Sequence, residues 1–394
     1  MTIEAANEVG MRGRRLRLGM VGGGRGAFIG AVHRIAARLD DQYELVAGAL
    51  SADPERARAS AADIGIAPER AYADFRTMAG AEAKRVDGID VVAIVTPNHL
   101  HHPAARAFLD ARIHVICDKP ISRTVEEAED LVQAVQASGK VFVLTHNYTG
   151  YPMMRQAREM VASGELGTLR LVQVEYPQEW LTTPLERSGQ KQAEWRTDPA
   201  RSGAGGCLGD IGTHAFNLAE FATGLRVERL AAELTTFVPG RQLDDNVQMM
   251  LRFAGGARGS LWSSQVAPGN ENGLQLRVYG EKAAFVWRQD HPDYLHYTQF
   301  GKPPALITRG GPAAGQAAAH ATRIPAGHPE GYLEGFAQIY ADAASLIRAH
   351  DAKRPPGPAA ALLPTAGDGL RAMRFIAAAV ESSRRDSAWV TLPL

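Results

Sequence analysis

The chain has 394 residues, 45% of them hydrophobic, and its 43 basic residues balance 43 acidic ones. This length favours two domains, and the even charge gives no indication of a nucleic-acid-binding surface. Two cysteines cannot form a disulfide framework, and no apolar run is long enough to predict a transmembrane helix. We therefore expect a cytoplasmic protein with neither nucleic acid nor membrane as a partner.

The first predicted strand leads into a glycine-rich turn. Residues 16–21 form a short apolar run, and residues 28–39 have the spacing of an amphipathic helix. The turn between them matches the spacing G-x-G-x-x-A, with its fixed positions at Gly22, Gly24 and Ala27. Such glycines let the backbone approach a pyrophosphate, which then rests on the free N–H groups of the helix N-terminus. The turn therefore predicts dinucleotide binding.

Strand-like and helix-like segments alternate up to residue 145. We predict further strands at residues 43–50, 91–95, 114–117 and 141–145. We predict helices at residues 54–64, 103–111 and 125–138. This alternation is typical of a doubly wound α/β domain with a parallel sheet.

Two of these strands end in polar sequences where a ligand is expected. Thr96 and Asn98 follow the strand at 91–95, with His101 close behind, and Asp118 and Lys119 follow the strand at 114–117. Ligands of open parallel sheets lie just beyond the carboxyl ends of the strands. A lysine held by the proline after it would place a fixed positive charge where a cofactor meets a substrate. An isolated Asp-Lys-Pro is more often a surface turn, so this prediction depends on its neighbours.

The chain changes character after Tyr148. Strand-like runs separated by short polar or glycine turns are found at residues 169–176, 230–237, 246–253, 259–266, 274–279 and 283–287. Such a succession favours a largely antiparallel open sheet and thus an α+β second domain. Helices are predicted at residues 151–163, 331–349 and 369–383, and the Gly-, Ala- and Pro-rich segment 301–327 is predicted to be an extended arm or loop.

One face of that second sheet is expected to lie away from the cofactor. If apolar residues such as Val247, Met249 and Leu251, or the residues alternating with them, lie on this face, they need burial. A symmetric partner is the commonest solution. We therefore predict a homodimer or homotetramer assembled through the sheet.

A second glycine-rich segment, residues 205–214, leads into a helix predicted from about Asp210. Asp210 and His214 are four residues apart and would share one face of that helix. Histidine titrates near neutral pH and can take a proton from an alcohol, while a nearby carboxylate can orient it. On its own the pair would be an ordinary capping aspartate and a half-buried histidine.

Together these motifs resemble the Gfo/Idh/MocA family of NAD(P)-dependent oxidoreductases over nearly the whole chain. The resemblance implies an N-terminal Rossmann dinucleotide-binding domain, residues 1–147, and a C-terminal α+β domain for substrate binding and oligomerisation, residues 148–394. It also implies a sugar, sugar-acid or cyclitol substrate. By similarity, Lys119 would hydrogen-bond the reacting hydroxyl, Asp210 would sit beside it, and His214 would be the acid/base.

The resemblance has three departures that bear on the cofactor. Asp118 stands where the family usually has glutamate, the segment 24–33 is longer than usual, and Ser51 holds the position that is acidic in many NAD-binding members. Without a carboxylate at Ser51, repulsion of a 2′-phosphate is weaker, yet Ala52 follows it rather than an arginine. NAD is favoured, and NADP is possible. The cofactor is expected to contact Gly22, Gly24, Ala27, Ser51, Thr96, Asn98, His101, Asp118 and Lys119.

Other side chains are weaker candidates for substrate contact. Tyr148, Trp195 and Arg196 join Lys119, Asp210 and His214 in the predicted substrate site, because aromatic rings suit sugar faces. Lys191, Arg196 and Arg201 raise the possibility of an anionic sugar, although a solvated loop carries such charges equally well. Three histidines, at 99, 101 and 102, lie in one short loop without a distant further ligand, and we predict no catalytic metal.

Three functions are compatible with these motifs. The leading one is a sugar or cyclitol dehydrogenase or reductase. The second is an NAD-dependent glycoside hydrolase, which oxidises a ring hydroxyl, eliminates the aglycone, adds water and restores the cofactor. The third, a regulatory or structural cofactor-binding protein, would not need Lys119, Asp210 and His214 together.

Overall fold

Two β-sheets organise residues 14–393, the part of the chain that the computed structural model describes. The strands of the first sheet are β1 (Leu16–Gly22), β2 (Tyr43–Ala49), β3 (Val91–Val95), β4 (His114–Cys117) and β5 (Phe142–Leu144). They pair in parallel in the order β2-β1-β3-β4-β5. The chain therefore contains a doubly wound Rossmann sheet, whose order reverses between β1 and β3, where such sheets bind their ligands.

Three of the helices around this sheet begin at side-chain caps. They are α1 (Phe28–Leu39), α2 (Pro54–Asp63), α3 (Phe75–Glu82), α4 (His101–Asp110) and α5 (Val125–Ser138). Asp53, Asp74 and Thr124 accept backbone N–H bonds at the starts of α2, α3 and α5. Such caps satisfy N–H groups that have no partner inside the helix. No sequence pattern predicted α3, because its eight residues are too few for a clear apolar stripe.

The second sheet is largely antiparallel, as predicted. Its strands are β6 (Leu169–Pro177), β7 (Val227–Thr235), β8 (Asn246–Phe253), β9 (Arg258–Ser264), β10 (Gln275–Gly280), β11 (Ala283–Arg288), β12 (Tyr294–Gln299), β13 (Ala305–Thr308) and β14 (Val390–Thr391). Within the described residues their order is β13-β12-β11-β10-β6-β9-β8-β7-β14. Neighbouring strands run antiparallel except β6 and β9, which are parallel.

Helices cover one face of this second sheet. The helices after β5 are α6 (Pro152–Ala162), α7 (Lys191–Arg196), α8 (Pro199–Ser202), α9 (Thr213–Thr223), α10 (Gln316–Ala321), α11 (Tyr332–Asp351) and α12 (Ala366–Arg384). The prediction that residues 301–327 form an arm or loop is wrong, because the segment contains β13 and α10. Gln156 on α6 accepts a hydrogen bond from the backbone of Gly315 at 2.6 Å, just before α10 begins. Contacts with distant residues, rather than the segment's composition, fix this helix.

The face of the second sheet that lies away from the helices is less apolar than the sequence suggested. Val247, Met249 and Leu251 are buried on the helix side, so the alternating residues point outward. Among these are Gln248 and Met250, and the Met250 side chain is 55% exposed. The open face is therefore mixed in polarity rather than apolar.

A helix from the C-terminal part of the chain packs on the Rossmann sheet. Tyr340 on α11 accepts a hydrogen bond at its backbone oxygen from Tyr43 (2.8 Å) and contacts His33 through its hydroxyl (2.8 Å). The division at residue 147 stays a prediction, and α11 lies on the sheet that the first segment builds. Over residues 14–393, every helix is too short or too polar to cross a membrane.

Candidate active site

The turn after β1 requires glycine at several positions. Gly22, Gly23 and Gly26 have φ values of +81°, +74° and +79°, a region that residues with a Cβ rarely adopt. A Cβ on Gly24 would lie 2.7 Å from the backbone oxygen of Leu50. The helix that follows begins without a side-chain cap at Ala27. Its first N–H groups are therefore available to an anion.

A single cleft of about 1230 Å³ contains both the glycine turn and the predicted catalytic residues. Pockets for one small molecule usually measure about 300–1,000 Å³, so this cleft has room for a dinucleotide and a substrate together. Of the predicted site residues, those that line it are Gly22, Gly24, Ala27, Ser51, Thr96, Asn98, Asp118, Lys119, Tyr148, Trp195, Arg196, Asp210 and His214.

His101, predicted to contact the cofactor, lies behind the cleft wall. It is buried, with Nδ1 2.6 Å from the Pro120 carbonyl oxygen and Nε2 2.8 Å from that of Thr96. Burial lowers the pKa of His101, and a neutral ring donates to only one of the two carbonyls. The ring thus connects the loops that follow β3 and β4.

Lys119 is fixed at both its backbone and its ammonium group. Its N–H donates to Asp118 Oδ1 (2.9 Å), which also accepts from the Thr145 hydroxyl (2.9 Å). Its Nζ donates to the backbone oxygen of Asp210 and lies 3.1 Å from Asp210 Oδ1. A positive charge held in this way is oriented before a substrate arrives.

Asp210 is surrounded by donors from three parts of the chain. Besides Lys119, Arg196 Nε lies 3.1 Å and Gln265 Nε2 2.9 Å from its Oδ2. Burial acts to raise the pKa of Asp210, but Arg196 and Lys119 outweigh burial and hold that pKa well below its ordinary value. The group is therefore a carboxylate throughout the working pH range. Nothing in the sequence pointed to Gln265, which follows β9.

The Asp210 and His214 side chains are not joined as the sequence suggested. Leu208–Gly212 forms one turn of π-helix before α9 begins. Hydrogen bonds in a π turn run i→i+5, so residues four apart do not stack as they do in an α-helix. No hydrogen bond between Asp210 and His214 is found in the described chain. The expectation that Asp210 orients His214 from one α-helical face is wrong.

His214 lies in an aromatic pocket. Its ring centroid is 5.0 Å from that of Tyr148 and 5.5 Å from that of His146, both nearly perpendicular to it. Its Nδ1 is buried without a partner. Burial, and then the charge of Lys119, lowers the pKa of His214 well below 6.5. The expectation that it titrates near neutrality is wrong; the ring is neutral at pH 7 and able to accept a proton.

Asp244, which the sequence analysis did not single out, supports the approach to the π turn. Its carboxylate accepts backbone N–H bonds from Gly206 and Leu208, each at 2.7 Å. Burial raises the pKa of Asp244 to about 6, although these two N–H groups act to lower it. The segment that carries Asp210 is thus held by a buried carboxyl group.

Unpartnered polar atoms lie in the cleft wall on the Rossmann side. Thr96 Oγ1 and Asn147 Nδ2 are buried without a hydrogen-bond partner among the described residues, and both side chains line the cleft. Buried polar groups normally find partners, and a carboxamide could supply both an acceptor and a donor here. With the glycine turn at the other end, the residues present fit a nicotinamide dinucleotide. Asn147 was missed, and its only signal was its place soon after β5.

Aromatic and amide side chains form the wall facing this one. The Tyr148 hydroxyl bonds that of Tyr176, which donates to Asn272 Oδ1 at 2.7 Å. The Arg196 guanidinium stacks 4.3 Å from the ring centroid of Trp195. Arg196 therefore holds Asp210 as well as lining the cleft.

Histidines of the sequence do not converge on a metal in the cleft. His102 contacts Asp130 at 2.8 Å, whereas the His101 ring lies between two backbone carbonyl oxygens. In the part of the chain described, the group with metal-like spacing is His114, His350 and Asp351, within 4.8 Å. Its His114 Nδ1 accepts from the backbone of Val141 and its Nε2 faces Asp351, so both nitrogens are engaged. The absence of a catalytic metal stays a prediction.

Family profiles match both parts of the chain. Residues 16–158 match the profile described as "Oxidoreductase family, NAD-binding Rossmann fold". Residues 154–286 match the "GFO/IDH/MocA C-terminal domain". This chain belongs to the Gfo/Idh/MocA family. The family resemblance and the fold read from the sequence are confirmed.

Relatives of this Gfo/Idh/MocA protein cover nearly all of it. The crystal structure of an oxidoreductase from Sinorhizobium meliloti is 54% identical, with TM-score 0.87, and the match covers 96% of this chain and 100% of that one. An inositol dehydrogenase homolog from Azotobacter vinelandii, complexed with NADH and myo-inositol, is 36% identical, with TM-score 0.88 and coverage of 96% and 98%. Levoglucosan dehydrogenase from Pseudarthrobacter phenanthrenivorans is 28% identical, with coverage of 96% and 99%.

These comparisons and the cleft agree on the chemistry. The protein is an NAD(P)-dependent oxidoreductase, and its Rossmann sheet binds the nicotinamide cofactor. The predicted enzyme class and cofactor are confirmed.

Proposed function

We propose that this protein transfers a hydride between the nicotinamide and a hydroxyl group of a sugar, sugar derivative or cyclitol. The observation that carries the proposal is the Lys119–Asp210 ion pair (3.1 Å) in the same cleft as the glycine turn. A relative complexed with NADH and myo-inositol and a levoglucosan dehydrogenase support this substrate class. A purely regulatory cofactor-binding protein would have no need of this pair and His214 in one cleft.

The catalytic residues divide the work. The bound nicotinamide supplies the hydride acceptor. Lys119 donates a hydrogen bond to the substrate oxygen as it gains carbonyl character, and Asp210 holds the ammonium in place. Because the Nδ1 of His214 is buried, Nε2 is the nitrogen left to accept the hydroxyl proton. Tyr148, Trp195 and Arg196 complete the substrate wall in this proposal.

The residues at the adenosine end of the cleft favour NAD over NADP less strongly than Ser51 and Ala52 alone suggested. Ser51 lies there, and Arg56, in the first turn of α2, lines the same cleft. Arg56 has no carboxylate partner within the described residues, and an arginine can attract a 2′-phosphate. We propose that the enzyme uses NAD and also accepts NADP.

The open face of the second sheet is proposed as the interface of a homodimer or homotetramer. Exposed Leu171 (48%) and Met250 (55%) lie there, near the Glu175–Arg277 ion pair at 2.8 Å. Mixed apolar and polar surfaces of this kind are typical of protein interfaces. A cytoplasmic location also stays a prediction.

The experiment that tests the function measures NADH absorbance with a panel of cyclitols and free sugars. One NADH formed for each product molecule is the expected result. The NAD-dependent glycoside hydrolase remains the alternative, and it would release aglycone from glycosides with only trace NAD. In D₂O it would also place deuterium on the ring carbon next to the anomeric centre. That pattern, without NADH accumulation, would contradict the proposal.

A further inference from the structure

A lysine from the second half of the chain lies against the glycine turn of the first half. Lys191 is the first residue of α7, and both it and Gly26 line the cleft. A Cβ built on Gly26 would be 4.0 Å from Lys191 Nζ. The ammonium therefore faces the turn whose following helix leaves its first N–H groups available to a phosphate.

The charge of Lys191 is not neutralised by protein groups. Its side chain is exposed, and within residues 14–393 it makes neither an ion pair nor a hydrogen bond. Arg25, in the glycine turn itself, is by contrast paired with Asp63 on α2 at 2.5 Å. The Lys191 ammonium therefore lies beside the turn with its hydrogen-bond donors available to a ligand.

The short helix α7 holds Lys191 in this position. Gln190 accepts a hydrogen bond from Ala193 N at 2.6 Å and caps the helix. At the other end, Arg196 Nε bonds Asp210 at 3.1 Å. A helix rises about 1.5 Å per residue, so α7 extends roughly 7–8 Å from the glycine turn toward the catalytic carboxylate. This placement separates Lys191 from Arg196, with which the sequence analysis grouped it as a candidate for binding an anionic sugar.

We propose that Lys191 is a cofactor-binding residue that contacts the pyrophosphate from the α7 wall of the cleft. The N–H groups at the start of α1 bind the phosphates, and the lysine supplies a point charge from α7. The proposal deepens the cofactor assignment, and it rests on nicotinamide-dinucleotide binding.

The test compares cofactor affinities of Lys191→Ala and the unaltered protein by NADH fluorescence. A partly exposed lysine–phosphate contact predicts NADH binding weakened about 3- to 10-fold. ADP-ribose, which keeps the pyrophosphate, should lose the same factor in competition, whereas adenosine should lose nothing. Lys191→Arg should bind NADH nearly as well as the unaltered protein. Lys302→Ala, an exposed lysine between β12 and β13, is the matched control.

Two results would overturn the proposal. The first is unchanged affinity for NADH and ADP-ribose in folded Lys191→Ala. The second is a raised KM for the sugar with unchanged cofactor affinity, which would assign Lys191 to the substrate. Failure of the unaltered protein to bind NADH would instead overturn the cofactor assignment, and Lys191 with it.

Discussion

Lys119 Nζ lies 3.1 Å from Asp210 Oδ1, although 91 residues separate the two in the chain. The lysine follows a strand of the Rossmann sheet, and the aspartate lies on the π turn before α9. The pair therefore joins the cofactor-binding sheet to the second half of the chain at the site of reaction. Its two partners act in different ways, and substitutions should separate them.

Replacing Lys119 by Ala should lower turnover by at least about 10²-fold, the scale of losing one oxyanion-type donor. Cofactor affinity should change far less, because the glycine turn is untouched. Steady-state kinetics and NADH titration check both, with the exposed Lys84→Ala as the control. Normal turnover in the folded variant would remove Lys119 from the mechanism.

Replacing Asp210 by Asn should lower turnover at least about 10-fold, because Lys119 and Arg196 lose the charge that orients them. Two partly buried cations left with a neutral partner should also destabilise the fold, by about 1–3 kcal/mol. Kinetics and urea unfolding measure the two effects, with exposed Asp87→Asn as the control. An unaltered kcat in Asp210→Asn would show that the charge is not needed.

Ser51→Asp should weaken NADP binding and spare NAD, because a carboxylate repels the 2′-phosphate and accepts from the free ribose hydroxyls. Arg56→Ala should weaken NADP about 3- to 10-fold with little effect on NAD, the scale of one exposed arginine–phosphate contact. Arg58→Ala, on the same helix but outside the cleft, is the control. If Ser51→Asp and Arg56→Ala keep the NAD-over-NADP selectivity of the unaltered protein, the adenosine ribose does not lie beside these residues.

The free energy of unfolding should decrease as the pH falls from 6.5 toward 4. Burial lowers the pKa of His33, His114 and His146 to about 4, and that of His214 well below 6.5. Below pH 6.5 these histidines are protonated in the unfolded chain but stay neutral in the folded one. The free energy of unfolding therefore falls by about 1.4 kcal/mol per pH unit for each such histidine. Urea unfolding at several pH values measures the slope.

A variant tests the origin of that slope. Both ring nitrogens of His146 are buried without partners. His146→Leu should therefore reduce the slope of unfolding free energy against pH by the contribution of one histidine, about 1.4 kcal/mol per pH unit. An unchanged slope would show that His146 is not held neutral by burial.

Met250→Arg should reduce the assembly of the protein if the open sheet face is the interface, because a charge would replace an apolar contact. Light scattering at micromolar concentration should give a multimer for the unaltered protein and a smaller species for the variant. Val86→Arg, at a fully exposed site on the Rossmann side, is the control. A monomeric unaltered protein would contradict the proposal.

Much of the fold is determined by local patterns in the sequence. The bounds of α1, β3, β4, α5 and β8 agree with the predicted residues, because apolar periodicity and capping residues act among near neighbours. The glycine turn could likewise be recognised from its own spacing, since its backbone conformation depends on those glycines. The polar residues after β3 and β4 were placed at the cofactor by the rule for parallel sheets.

Only the tertiary structure decided which residues contact each other in the site and which of its groups carry a charge. Gln265 reaches Asp210 through the end of β9, and Lys191 reaches Gly26 through α7. Neither contact can be predicted from a local sequence pattern. In each case the partners are far apart in the chain, and the fold of the intervening segments brings them together. The lowered pKa of His214 arises from burial, which depends on how distant segments pack around the ring. Residue types and their local order fixed the cofactor loop, while long-range packing and desolvation fixed the proton acceptor and the partners of the catalytic carboxylate.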